Sequence, residues 1–83
     1  MRDAISALLT SEVARMVEAP EGSLDHSAHL SELGMDSLKA LQLLVLIERT
    51  YNLQIREEEL QQFTSINAVT DLVMSYITVA KAS

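Results

Sequence analysis

Hydrophobic residues recur at spacings of three and four along most of this chain, which is the pattern of amphipathic helices. The first such stretch covers residues 3–18. Its apolar stripe consists of Ile5, Leu8, Leu9, Val13, Met16 and Val17. Proline lacks an amide hydrogen and its ring obstructs the preceding turn, so Pro20 is predicted to stop this helix.

The most apolar stretch, residues 37–51, is predicted to form a second helix with two apolar faces. At about 100° per residue, one face collects Ala40, Leu43, Leu44, Ile47 and Tyr51. Roughly opposite lies the second face of Leu38, Leu41 and Val45, flanked by Gln42, Glu48 and Arg49. A surface helix usually has one apolar stripe. We therefore interpret the second face as a partner-binding stripe, with burial of both faces as the alternative.

Two further helices complete the pattern. A short third helix is predicted over residues 57–62, with Leu60 pointing inward and Phe63 just beyond it, and a fourth over residues 66–78 behind a Thr64–Ser65 cap. The inner stripe of the fourth helix is Ile66, Val69, Leu72, Val73, Tyr76 and Ile77. The tail over 79–83 is expected to fray. These elements predict an all-α four-helix bundle with three longer helices and a short third one.

Between the first two helices lies a long loop, residues 19–36. Leu24, Leu30 and Leu33 are predicted to pin it to the core. His26 and His29 stand in this loop near acidic residues, but they match no metal-ligand pattern, so we predict solvated histidines and no metal site.

The length and the net charge of the chain limit the classes of partner and function that it can have. A chain of 83 residues is one domain over 1–83, with its core at about 3–77. A net charge of −6 disfavours nucleic acid and anionic membranes as partners and favours enzymes with basic docking patches. With no signal segment and no membrane-length apolar run, the expected location is the cytoplasm. The chain has no cysteine, so thioester chemistry requires a thiol from outside it.

The candidate chemistry stands where the polar loop meets the second helix, at Leu33-Gly34-Met35-Asp36-Ser37-Leu38. Asp and Ser both favour helix starts, so the dipeptide alone indicates only a cap. A catalytic serine needs a base, an orienting group and oxyanion donors. His29 and Asp36 could supply two of these roles, but we expect no substrate cleft in so small a bundle. The chain is therefore predicted not to be an enzyme.

Within its helical frame, the run Gly34-Met35-Asp36-Ser37-Leu38 resembles the attachment motif of acyl carrier proteins, and the resemblance covers about residues 3–77. It implies that the Ser37 hydroxyl carries a 4'-phosphopantetheine arm, with Gly34, Asp36 and Leu38 as motif residues. A separate phosphopantetheinyl transferase would attach the arm from coenzyme A with a magnesium ion. Acyl groups would then be held on the arm's thiol as thioesters. A helix N-terminus suits the phosphodiester, because free amides and the positive dipole end favour an anion.

The resemblance also assigns roles to other residues. Leu41, Val45 and Glu48 match partner-facing positions, and Lys39, Gln42 and Arg49 stand where fatty-acid carriers tend to be acidic. The set Lys39, Leu41, Gln42, Val45, Glu48 and Arg49 is therefore the predicted partner-binding surface. Positions that line the interior, where some members shelter an acyl chain, are Leu43, Ile47, Leu60, Phe63, Ala68 and Val69.

The mixed charge of this surface and the residues of the motif resemble polyketide-type carriers and favour a role in polyketide-type biosynthesis. The expected partners are an acyltransferase, a ketosynthase or similar enzymes, and the carrier is expected to be a monomer. Three alternatives stay open. A peptidyl or aminoacyl carrier of nonribosomal peptide synthesis would be loaded by an adenylating enzyme. A fatty-acid carrier would serve fatty-acid enzymes. An arm-free helical interaction module would show no mass change with coenzyme A and a transferase.

Overall fold

The computed structural model describes residues 1–82, with side-chain surroundings for residues 1–79. Three long helices, Arg2–Val17 (α1), Ser37–Tyr51 (α2) and Ile66–Ala82 (α3), are joined by segments that contain short 3₁₀ helices. The 3₁₀ helices cover Glu21–Ser23, Leu30–Leu33 and Glu57–Gln62. No strand occurs in residues 1–82, so the predicted all-α bundle of three longer helices and a short one is confirmed. The predicted third helix is the 3₁₀ helix 57–62.

Helix α1 ends at Val17, before Pro20 is reached. Glu18 adopts a left-handed backbone with φ 57°, and its N–H turns back to the carbonyl groups of Ala14 and Arg15. A left-handed residue just past the last turn is a common helix ending, and Pro20 follows two residues later. Ile5, Leu9 and Val13 of the predicted stripe are fully buried, while the other three stripe residues are half-buried.

The segment between α1 and α2, predicted as one long loop, contains two 3₁₀ helices. Leu30 is buried, and Leu24 and Leu33 pack against the core, as predicted. Backbone hydrogen bonds also tie the loop to the start of α3. The Leu30 N–H donates to the Thr64 carbonyl at 2.8 Å, and the Asn67 N–H donates to the His26 carbonyl at 3.1 Å.

Helix α2 has the two faces that its sequence predicts. Leu43, Leu44 and Ile47 are buried, whereas Leu38 is 63% exposed and Val45 is 38% exposed. The alternative in which both faces are buried is therefore excluded at Leu38 and Val45. Leu41, the third residue of the second face, is half-buried.

Helix α3 begins as predicted and ends later. The Ser65 Oγ accepts the Ala68 N–H at 3.0 Å, which is the expected capping bond. The helix continues to Ala82, four residues beyond the predicted end at Thr78, because neither glycine nor proline follows to stop it. The predicted fraying of the tail over 79–83 stays a prediction, and Ser83 lies outside the described residues.

A single hydrophobic core joins the three long helices to the loop and to the 57–62 segment. Its buried members are Ile5, Leu9, Val13, Leu30, Met35, Leu43, Leu44, Ile47, Ile55, Phe63, Ile66, Val69 and Val73. The buried Thr70 hydroxyl donates to the Ile66 carbonyl at 2.8 Å, so this polar group is satisfied within α3. Across the described helices, none combines the length and apolar character that a membrane span requires.

Candidate functional site

Ser37 is the first residue of α2, and its side chain is exposed. The preceding Asp36 has an extended backbone, and its Oδ1 accepts the Lys39 N–H at 2.8 Å. Asp36 is therefore the N-cap of α2. The Ser37 hydroxyl is not needed for capping and stays available for covalent attachment.

Two contacts with Lys39 stabilise the Asp36 carboxylate. The hydrogen bond from the Lys39 N–H is the main cause that lowers the pKa of Asp36, and the positive charge of Lys39 lowers it further. The Lys39 Nζ lies 3.8 Å from the second carboxylate oxygen. A fixed negative charge therefore stands directly beside Ser37.

Gly34 directs the chain into this helix start. Its φ of 104° lies in the left-handed region of backbone conformation, which residues other than glycine rarely adopt. A Cβ there would lie 3.5 Å from the Val17 side chain, an ordinary contact, so backbone conformation rather than lack of space requires glycine. After this reversal the Met35 N–H donates to the Leu30 carbonyl at 3.0 Å, and the Met35 side chain is buried.

A cleft of about 350 Å³ lies beside Ser37. It is lined by His29, Leu30, Ser31, Met35, Asp36, Ser37, Ala40, Leu60 and Phe63. Its volume is at the lower end of ligand sites in proteins, which hold about 300–1,000 Å³. The sequence pattern did not predict this cleft, and the expectation that the bundle has no substrate cleft for a catalytic serine stays a prediction. The cleft is a product of the tertiary structure, because the 3₁₀ helix 57–62 and the residue after it place Leu60 and Phe63 opposite the start of α2.

One of the two loop histidines differs from its prediction. His26 is half-buried rather than solvated, with its Nε2 3.2 Å from the Thr10 hydroxyl oxygen. His29 is exposed, but its Nδ1 accepts the Ser31 N–H at 3.1 Å and lies 2.8 Å from the Ser31 hydroxyl, so it caps the 3₁₀ helix 30–33. Within residues 1–82, no three His, Cys, Asp or Glu side chains are placed to share a metal ion.

The residues predicted to line the interior separate into two groups. Leu60 and Phe63 line the cleft. Leu43, Ile47 and Val69 are buried in the core, with at most 1% of each exposed, and Ala68 is half-buried. Met35 also lines the cleft, although it was not among the residues predicted to line the interior. A lone methionine in a polar loop has no periodic pattern that could have marked it as buried.

The predicted partner-binding residues lie along the outer side of α2. Gln42, Val45 and Arg49 are exposed, and Lys39 and Leu41 are half-buried. Glu48 has a further contact, which the sequence analysis did not foresee. Its Oε2 accepts the Ile55 N–H at 2.9 Å, so this carboxylate also holds the connection after α2.

Comparison with known proteins agrees with this geometry. The family model described as "Phosphopantetheine attachment site" matches residues 7–73. The chain belongs to this family. Its fold is also that of a solved acyl carrier protein from Thermotoga maritima, with a TM-score of 0.81 and 20% identity over 95% of this chain and 93% of that one.

Two curated proteins are more similar in sequence to this phosphopantetheine-attachment domain than that solved structure is. The non-reducing polyketide synthase pkbA of Emericella nidulans is 29% identical over 73 residues, which are 88% of this chain and 3% of the synthase. The acyl carrier protein of Buchnera aphidicola subsp. Baizongia pistaciae is 28% identical over 53 residues, or 64% of this chain and 68% of that protein. The chain thus spans only a small part of the synthase that it matches.

The residues at the site fit the prosthetic group that the family implies. Ser37 offers an exposed hydroxyl. The first amides of a helix have no intrahelical partner and favour a phosphodiester nearby, although the Lys39 amide already donates to Asp36. The cleft adjoins the same serine. When bound, 4'-phosphopantetheine supplies the terminal thiol that this cysteine-free chain lacks.

Proposed function

We propose that this domain carries acyl intermediates as thioesters on a 4'-phosphopantetheine arm attached to Ser37, most specifically in polyketide-type biosynthesis. The observation that carries the proposal is the exposed serine at the first position of α2, inside the family's attachment motif. Because Asp36 caps the helix, the Ser37 oxygen can bond to phosphorus without loss of the cap. In this role the domain anchors and presents cargo, and partner enzymes perform the chemistry.

The outer side of α2 is the proposed docking surface for those enzymes, beginning with a phosphopantetheinyl transferase and continuing with an acyltransferase, a ketosynthase or similar partners. Leu38, directly after Ser37, and Val45, two turns further along α2, offer exposed apolar side chains that a partner could cover. The charged and polar side chains of Lys39, Gln42 and Arg49 surround them. A partner that covers this apolar area would bring its active site close to the arm.

The polyketide assignment is supported by the mixed charge on α2 and by the similarity to a polyketide synthase segment. A fatty-acid carrier is the second candidate, and the similarity to the Buchnera acyl carrier protein supports it. The two candidates share Ser37 and its arm, and they differ in the partner that α2 has to recognise.

Intact-mass measurement tests the shared part of the proposal. The purified protein is incubated with coenzyme A, magnesium and a broad-specificity transferase, and we expect one added phosphopantetheine. Ser37→Ala should abolish the addition while the helical circular dichroism is retained. Ser31→Ala is the matched control, since Ser31 is exposed and lines the same cleft, and this variant should be modified like the wild type. Wild-type protein that stays unmodified while a known carrier is modified would refute the proposal.

A further inference from the structure

The cleft beside Ser37 combines an apolar wall with a polar rim. Ala40 of α2 and, facing the start of that helix, Leu60 and Phe63 contribute apolar surface, and His29 and Ser31 stand among the lining residues with polar groups. Ser37 itself also lines the cleft, so whatever is attached to its hydroxyl begins at the edge of this space.

The hydrogen bonds of His29 determine which ring nitrogen can donate. Its Nδ1 accepts the Ser31 backbone N–H at 3.1 Å, and a ring nitrogen that accepts an N–H cannot carry a hydrogen itself. The neutral imidazole therefore has its hydrogen on Nε2. Since Nδ1 faces the 3₁₀ helix 30–33, the opposite edge of the ring, with the Nε2–H donor, is the edge that can meet a ligand.

The part of a phosphopantetheine arm nearest the serine has matching chemistry. After the phosphate come a carbon with two methyl groups, a hydroxyl group and an amide. We propose, on the basis of the function proposed above, that the cleft binds this proximal half of the arm, with the Nε2–H of His29 donating a hydrogen bond to one of its oxygens. The apolar wall would contact the two methyl groups.

Weak contacts are enough for such a site, because the arm is tethered to Ser37. A tether replaces a bimolecular binding step with an intramolecular one at millimolar effective concentration. His29 is in this view a positioning residue, which holds the resting arm against the protein until a partner enzyme draws the thiol end away. The cleft volume of about 350 Å³ suits part of the arm rather than a large ligand.

The test compares the apo and holo proteins by NMR, after the mass spectrum has shown that the arm is attached. The chain has two histidines, so His26 serves as an internal control. Attachment should shift the His29 ring nitrogen resonances and leave those of His26, held against Thr10, nearly unchanged. Cross-peaks should join the arm's methyl groups to Leu60 and Phe63.

Two substitutions of His29 distinguish its role as a hydrogen-bond donor to the arm from its role as the cap of the 3₁₀ helix 30–33. His29→Asn keeps an acceptor that can cap the 3₁₀ helix 30–33 but removes the Nε2–H donor. His29→Gln keeps a donor at similar reach but weakens the cap. Loss of one ordinary hydrogen bond lowers an equilibrium ratio by about two- to tenfold, so the docked-to-free ratio of the arm should fall by that factor in His29→Asn and largely persist in His29→Gln.

The outcomes distinguish this inference from the function on which it rests. An attached arm without methyl cross-peaks to Leu60 and Phe63, and with equal His29 and His26 shifts, would overturn the docking site and leave the carrier function standing. Docking that is lost in His29→Gln but kept in His29→Asn would show that the cap matters rather than the donor, and would also overturn the role of His29. Failure to attach any arm at Ser37 would overturn both proposals.

Discussion

Asp36 and Ser37 are neighbours with different tasks. Both residue types favour helix starts, but only Asp36 accepts an N–H from the first turn of α2. The pKa of its carboxyl group is lowered mainly by that hydrogen bond from Lys39. The cap is therefore ionised at neutral pH, and Ser37 keeps a free hydroxyl one residue later.

Asp36→Ala should lower the stability of the domain at neutral pH, because it removes the cap. The pKa of Asp36 is lower in the folded than in the unfolded state, so its contribution is present above the ordinary value of 3.8 and is lost as pH falls through the lower folded value. The gap between wild type and Asp36→Ala should therefore close below about pH 4. Urea unfolding of both proteins at pH values from neutral to below 4 measures this difference in the free energy of unfolding.

Asp36→Asn is the control for this titration, because asparagine also caps helices but does not ionise. Its stability relative to Asp36→Ala should show no loss of this kind on acidification. A gap between wild type and Asp36→Ala that stays constant throughout the acidic range would contradict the assigned role of the carboxylate.

Ile47 and Val45 test the two faces of α2 at the level of single side chains. Both are β-branched and lie in the same helix, yet Ile47 is fully buried and Val45 is 38% exposed. Ile47→Ala should cost about 2–5 kcal/mol because it leaves a cavity, and Val45→Ala should cost much less. Denaturant midpoints decide this prediction. Equal and large losses would show that the second face is part of the core.

At the level of elements, Glu48 links α2 to the segment that forms the far wall of the cleft. Its backbone carbonyl accepts the Leu53 N–H at 3.0 Å, and its side chain accepts the Ile55 N–H. Asn52 between them takes a left-handed conformation that ends the helix. One residue thus sets the path toward the 3₁₀ helix 57–62, in addition to its predicted place on the partner surface.

Glu48→Ala should destabilise the domain by about 1–3 kcal/mol, because the Ile55 amide loses its acceptor next to a buried side chain. Glu48→Gln keeps an oxygen acceptor and should lose clearly less. Hydrogen exchange at the Ile55 amide should accelerate most in the alanine variant. Unchanged stability and exchange in Glu48→Ala would mean that Glu48 acts only toward partners.

At the scale of the whole molecule, charge is uneven. The net charge is −6, yet Lys39 and Arg49 are two of only six basic residues and both lie on α2. Complementary charge mainly governs encounter rates and the exclusion of wrong partners. If partners dock on α2 as proposed, we expect this mixed surface to disfavour those that recognise a uniformly acidic helix.

Fatty-acid enzymes with basic docking patches should use the holo protein poorly, and Lys39→Glu together with Arg49→Glu should improve that use. The gain should shrink with salt, since exposed charges are screened over about 10 Å at 0.1 M ionic strength. The measurement is the rate of malonyl transfer from a fatty-acid pathway acyltransferase at low and high salt. A wild type that already matches a fatty-acid carrier would remove the main support for the polyketide assignment.

Arg49→Glu alone is the necessary control for that experiment. Arg49 is exposed, whereas Lys39 is half-buried and lies near Asp36, so Lys39→Glu places two carboxylates close together at the start of α2. A rate gain in the single variant would show that surface charge, rather than disturbance of the cap, changes partner use. A double variant without any salt-dependent gain would contradict the charge argument.

The sequence by itself determined the features that depend on a few neighbouring residues. The periodic stripes located the long helices and the buried faces of Ile47 and Val69, and the run Gly34–Leu38 marked Ser37 as the candidate for attachment. Helical periodicity, glycine at a left-handed position and capping by Asp or Ser are all local properties. They can be deduced without knowing how distant segments meet.

Only the tertiary structure decided the surroundings of that serine. The cleft exists because Leu60 and Phe63 meet the start of α2, and Met35 is buried because Gly34 reverses the chain above the core. His26 lies against Thr10, and the Glu48 side chain holds the Ile55 amide. These contacts join residues of different segments, so they depend on the paths of the connecting segments, for which residue spacing alone contains no periodic signal.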